Sequence, residues 1–161
     1  MTALNGRDQS LKLLGEMSIT FAGIEHSITV LLSHLVGGDV LVQPLLIDRM
    51  PLSQAIRICK QAGDHFFEND PDQLDKLKSL LKRIDARRVE RNQFVHGQWT
   101  IDEAGYVSIT TFKLKMAEKK THWEYLHTQR MTPSKLHQHA KEVAVLWDEL
   151  CEFVNTLLGN D

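Results

Sequence analysis

The sequence predicts an all-α fold. Four main helices form an antiparallel helical bundle, with a small β-hairpin or three-strand insertion before the last helix. Three observations lead there. Apolar residues recur at three and four positions through four long segments, the spacing of one helix face. Start and stop residues bound these segments: Asp70-Pro71 and Thr132-Pro133 at two starts, Gly37-Gly38, Gly97 and Gly159 at three ends. Only between about 99 and 126 does the period change to two.

The first helix is read from about Ser10 to Leu35, with Leu14, Met17, Phe21, Ile24, Ile28, Leu31 and Leu35 as its inner stripe. A short apolar stretch, Val40 to Ile47, follows and is broken by Pro44. The second helix starts near Pro51, a favoured first-turn residue, and reaches about Phe67. Asn69-Asp70-Pro71 is a turn that opens the third helix, with Asp70 as N-cap. That helix continues to about Val95 on Leu74, Leu77, Leu81 and Ile84, and Gly97 ends it as a left-handed C-cap. Trp99–Asp102 and Tyr106–Phe112 alternate around Glu103-Ala104-Gly105, a hairpin signal, and Thr121–Leu126 reads as a third strand. The aromatics Trp99, Trp123 and Tyr125 are expected to pack this small sheet on the helices rather than to stack on bases. The fourth helix runs from Thr132-Pro133 to about Leu158, on Leu136, Ala140, Val143, Trp147, Leu150, Val154 and Leu157.

Residues 1–161 are thus read as a single domain, long enough to bury a core without disulfides or metals. No apolar run approaches the ~20 residues that span a bilayer, and no secretory pattern opens the chain. Cys59 and Cys151 form no disulfide or metal framework, so a reduced, cytoplasmic protein is expected.

Net charge is −2, from 19 basic and 21 acidic residues, which on its face argues against nucleic acid. The distribution argues otherwise. Residues 75–91 hold seven basic and three acidic groups, and residues 113–130 hold five and two. Residues 1–48 and 131–161 each carry a net −3. A local basic face can hold a polyanion on a near-neutral molecule.

Two helix faces break their own pattern. Extending the stripe of the third helix beyond Ile84 reaches Arg88, Arg91 and Val95, so two arginines fall where core residues are expected. On the first helix, Glu25 sits among Phe21, Ile24 and Ile28. A buried guanidinium or carboxylate needs a partner. Glu25 is therefore expected to pair with Arg88 as a supporting strut.

Asn92 and His96 are one turn apart, and Arg91 lies about 140° round the helix from His96. His96 is at the helix C-terminus, where exposed carbonyls favour an imidazolium. Arginine, histidine and an amide suit a phosphodiester: Arg holds the phosphoryl oxygens, His moves a proton, the amide orients an oxygen.

Arg, four to six residues, then His, with a polar residue directly after the Arg, is the motif of HEPN domains. Here it reads Arg91-Asn92-Gln93-Phe94-Val95-His96. The longer string from Glu90 to Trp99 resembles a bacterial branch in which Gly and an aromatic follow the His. Phe21 to Leu35, with Glu25 inside an apolar helix, resembles the family's first helix. The segment Trp99 to about Leu126 departs from the basic bundle. The resemblance implies a metal-independent endoribonuclease without cofactors, a homodimer whose two Arg–His pairs line one cleft. It implies attack of the RNA 2′-hydroxyl on the adjacent phosphate, with Arg91 stabilising the transition state, His96 in proton transfer or as a further phosphate contact, and Asn92 orienting the scissile group. Arg87 and Arg88 would guide the RNA backbone. Toxin–antitoxin and phage-defence systems use such enzymes. Other members do not cleave; they bind a partner protein such as a nucleotidyltransferase, or a nucleotide, and stand as the alternative. An antitoxin is the partner expected of an active toxin. A third reading is a small helical regulator with a structural Arg–Glu core.

Other chemistries fit less well. His122, His127, His137 and His139 lack the spacing of a zinc site, so no metal is expected. No glycine-rich phosphate loop or serine-nucleophile elbow is present.

Overall fold

In the computed structural model, residues 5–37, 50–117 and 120–159 are described; for Gln93, Val95, His96 and the strand residues from 112 to 128, the backbone alone. The apolar stretch Val40 to Ile47 lies outside the described residues. Helix α1 spans Gly6–Leu35, about 45 Å of helix axis. It begins four residues earlier than the apolar stripe suggests, because Asn5 caps it: the Asp8 N–H donates to Asn5 Oδ1 at 2.8 Å. All seven stripe residues are buried, and Gly37, at φ +70°, follows the last turn in the left-handed region.

Helix α2 covers Leu52–Phe66 and buries Ala55, Ile56, Cys59 and Gly63. Helix α3 covers Pro71–His96. Its cap is the expected one, with the Gln73 N–H donating to Asp70 Oδ1 at 3.2 Å. Leu77, Leu81 and Ile84 are 0–2% exposed, whereas Arg88 and Arg91 are half-buried. The stripe therefore neither sinks the two arginines into the core nor releases them to water.

Gly97 alone separates α3 from β1 (Gln98–Ile101), which pairs antiparallel with β2 (Val107–Ala117); β2 pairs antiparallel with β3 (Lys120–Met131). The sheet order is β1-β2-β3. The ribbon is longer than the expected segments, which ended at Phe112 and Leu126. Two features hid it. Lys113, Lys115, Lys119 and Lys120 read as a charge run. A register shift between Thr111 and Phe112 leaves Leu126 as an extra residue and interrupts the alternation of β3. Trp99, expected to pack inward, is 40% exposed, while Val107, Ile109 and Met131 are buried; the side chains of Trp123 and Tyr125 lie outside the described residues. Helix α4 spans Pro133–Leu158, capped by Thr132 Oγ1, which accepts the Lys135 N–H at 3.1 Å.

The chain is therefore mostly helical, with four helices among the described residues and a three-strand antiparallel sheet before the last. It divides into two compact units, and α1, α3 and α4 each contribute to both.

The first unit comprises Met1–Ser18 and Val89–Glu142. Here the start of α1 grips the β1–β2 turn. Buried Ser10 donates from Oγ to the Gly105 carbonyl at 2.7 Å. Gly105 adopts φ +86° and touches the Gly6 carbonyl, while a Cβ on Gly6 would meet the Ala104 oxygen at 2.6 Å. Both approaches need glycine.

The second unit comprises Ile19–Arg88 and Val143–Asp161. Contacts between its helices fix their directions. Cys59 Sγ lies 4.0 Å from the Ile28 carbonyl, and the His34 and Phe66 rings are 5.3 Å apart, so α1 and α2 advance together. A Cβ on Gly23 would meet the Trp147 ring at 2.6 Å, and one turn on Ser27 Oγ is 3.7 Å from Cys151 Sγ, so α1 and α4 also run parallel. Gly63 abuts Leu77, and Lys78 Nζ reaches Asp64 at 2.7 Å, across the short α2–α3 turn. Arg83 pairs with Glu149, while the first turns of α3 share a cleft with Phe153 and Thr156, so α3 and α4 are antiparallel. The all-antiparallel expectation is thus corrected at α1. Parallel neighbours require a connection at least as long as the helix it bypasses.

Candidate functional site

The last two turns of α3 hold the residues that the sequence singles out. Helix geometry places Arg91, Asn92 and His96 within one and a half turns of each other. Arg91 and Asn92 are both half-buried, and Arg91 Nη1 donates to Asn92 Oδ1 at 3.4 Å. The contact orients the amide oxygen toward the guanidinium. His96 is the final residue of the helix, immediately before Gly97 and β1.

Arg87 and Arg88 lie one turn earlier, both half-buried. The described partner of Arg88 is not Glu25 but Asp85, one turn back on the same helix, where Nε donates to Oδ1 at 2.8 Å. Glu25 itself is half-buried on α1, not in bulk water. Arg88, Arg83 and Lys78 each hold a carboxylate, on Asp85, Glu149 and Asp64. At least three of the seven cations in residues 75–91 are therefore partly neutralised within the molecule.

One further residue stands beside the site, His139. On α4, its side chain is only 14% exposed and its Nδ1 lies 3.3 Å from Glu90 Oε2. Glu90 immediately precedes Arg91, so this contact holds the backbone turn from which Arg91 projects. Nothing in the sequence marked it, since His139 sits beside Ala140 in an otherwise ordinary amphipathic stretch.

Burial pushes the Cys59 thiol up to about 12, so it is a packing residue and not a nucleophile. Among the described residues, no group of three or more His, Cys, Asp or Glu side chains is gathered to hold a metal ion. A cleft of about 490 Å³ lies between the first turns of α3 and the last of α4, floored by Leu80 and Phe153. Its walls carry Lys76 and Arg83 against Asp75, Glu149 and Glu152. Anionic groups outnumber cationic ones there, and Arg83 already holds Glu149, so this cleft does not suit a polyanion.

Compared with known proteins, the chain matches no family model, no curated protein and no solved structure.

Proposed function

We propose that the protein is a metal-independent endoribonuclease of HEPN type, a cytoplasmic homodimer on a helical-bundle frame, acting as a toxin or phage-defence component. The observation that carries the reading is Arg91 in contact with Asn92, half-buried, one turn before a histidine that ends the helix. In the proposed reaction the RNA 2′-oxygen loses its proton and bonds to the adjacent phosphorus. The bond from phosphorus to the 5′-oxygen breaks, and that oxygen takes up a proton. The products are a 2′,3′-cyclic phosphate and a 5′-hydroxyl. Arg91 offers a planar fork to the phosphoryl oxygens as charge builds on them. Asn92 orients one of those oxygens. His96 serves the proton transfers. Arg87 and Arg88 guide the RNA backbone, an attraction that weakens with salt.

The test is RNA cleavage in excess EDTA by wild type beside Arg91→Ala and His96→Ala. Cleavage that survives EDTA and disappears in both variants, with unchanged melting temperature, is the expected result. Equal cleavage by variants and wild type would overturn the reading.

The second reading is the non-catalytic HEPN-like module that binds a partner protein or a nucleotide. The Glu90–His139 and Asp85–Arg88 pairs favour it, because they tie residues around the motif into structural contacts. A wild type that cleaves no RNA, but whose His96→Ala variant unfolds at lower temperature, would establish it over the first.

A further inference from the structure

The β-ribbon takes no part in the proposed reaction, and among the described residues one edge of its backbone has no paired strand. Strand β1 pairs only with Val107–Thr110 of β2. Beyond Thr110, β2 continues for seven residues, Thr111 to Ala117, paired with β3 on one side alone among the described residues. That is about 23 Å of strand whose second edge offers alternating N–H and C=O groups. Such an edge is a template for another strand. A polynucleotide backbone has phosphates and sugars where the edge needs matched donors and acceptors; a peptide supplies both at the strand repeat.

Register and charge define the peptide. Phe112, Leu114 and Met116 occupy alternate positions of β2, opposite Tyr125, Trp123 and Thr121 of β3. Lys113 and Lys115 occupy the positions between, opposite Glu124 and His122. A second copy of β2 added antiparallel about Leu114 would set lysine against lysine, which is unfavourable. An extended segment that alternates acidic and apolar residues matches both sets of positions.

We propose that the β1-side edge of β2, from Thr111 to Ala117, binds an extended acidic–apolar segment of a partner protein by strand addition. This goes beyond the ribonuclease reading and stands without it. The probe is a fluorescent seven-residue peptide alternating Glu and Val, titrated into the full chain. Three controls accompany it: the same peptide N-methylated at every second residue, a Lys–Val peptide, and a single-stranded RNA oligonucleotide. Saturable binding by the Glu–Val peptide is expected, with slowed hydrogen exchange confined to 111–117. N-methylation should abolish it, and Lys113→Glu with Lys115→Glu should weaken it about tenfold, as two cross-strand charge pairs are reversed. No binding, equal binding of the methylated or Lys–Val peptide, or protection of the same amides by RNA instead, would each overturn the proposal.

Discussion

Gly23 of α1 faces Trp147 of the parallel helix α4, and three atoms of the indole stand 2.6–2.8 Å from where its Cβ would be. An aromatic ring cannot bend away, so a methyl group there must push the helices apart. Gly23→Ala is expected to destabilise the fold by about 1–3 kcal/mol, the usual cost of overpacking, despite alanine's better helix propensity. A melting curve beside Gly15→Ala provides the control, because nothing lies within 4 Å of a Cβ at Gly15 and that variant should be neutral or stabilised. At the proposed site the discriminating substitution is Arg91→Lys. It keeps the charge but removes the fork, which only a phosphoryl-binding role requires. Cleavage should fall by about tenfold or more with the melting temperature unmoved, a 1.4 kcal/mol loss in the transition state. Retained cleavage in Arg91→Lys would reduce Arg91 to a point charge.

Among elements, the helices and the presence of a small sheet before the last of them were legible, whereas the length of its strands was not. Asp70, Thr132, Gly37 and Gly159 act locally through hydrogen bonds or φ, so their roles could be read from sequence alone. Strand pairing depends on partners distant in sequence, and the extra residue at Leu126 breaks the period-two signal. Helix direction was also hidden, since an apolar stripe marks which face is buried and not which way the neighbouring helix runs. The α3–α4 pair adds a pH signature. A hydrogen bond from Arg83 holds the Glu149 carboxyl below its ordinary value of 4.5. With the folded value depressed, the pair stabilises the protein above pH 4.5 and loses that contribution as pH falls through the lower folded value. Both side chains are over a third exposed, at 46% and 39%, so screening leaves well under ~1 kcal/mol. Glu149→Gln should lower the melting temperature by about 1–2 °C at pH 7 and hardly at all at pH 3. An equal effect at both values would assign the loss to packing.

For the whole molecule, near-neutral charge hides an uneven distribution along the sequence. Lys78 and Arg83 face carboxylates of α2 and α4, while Arg91 and His96 lie at the other end of α3. The proposed site at one helix end covers little of a polyanion by itself. Two-fold pairing would double it, and an isologous interface brings equivalent ends together. The proposed dimer therefore has a consequence that no monomeric nuclease shares. If both protomers contribute Arg91 and His96 to one cleft, a mixed dimer of Arg91→Ala with His96→Ala still contains one arginine and one histidine. Random reassociation of equal amounts gives about half mixed dimers. Co-refolded variants should regain a measurable fraction of wild-type cleavage, although each alone is inactive, with initial rates in EDTA as the readout. A mixture as inactive as its components, at concentrations where sedimentation shows dimers, would place each site within a single protomer and remove the composite cleft.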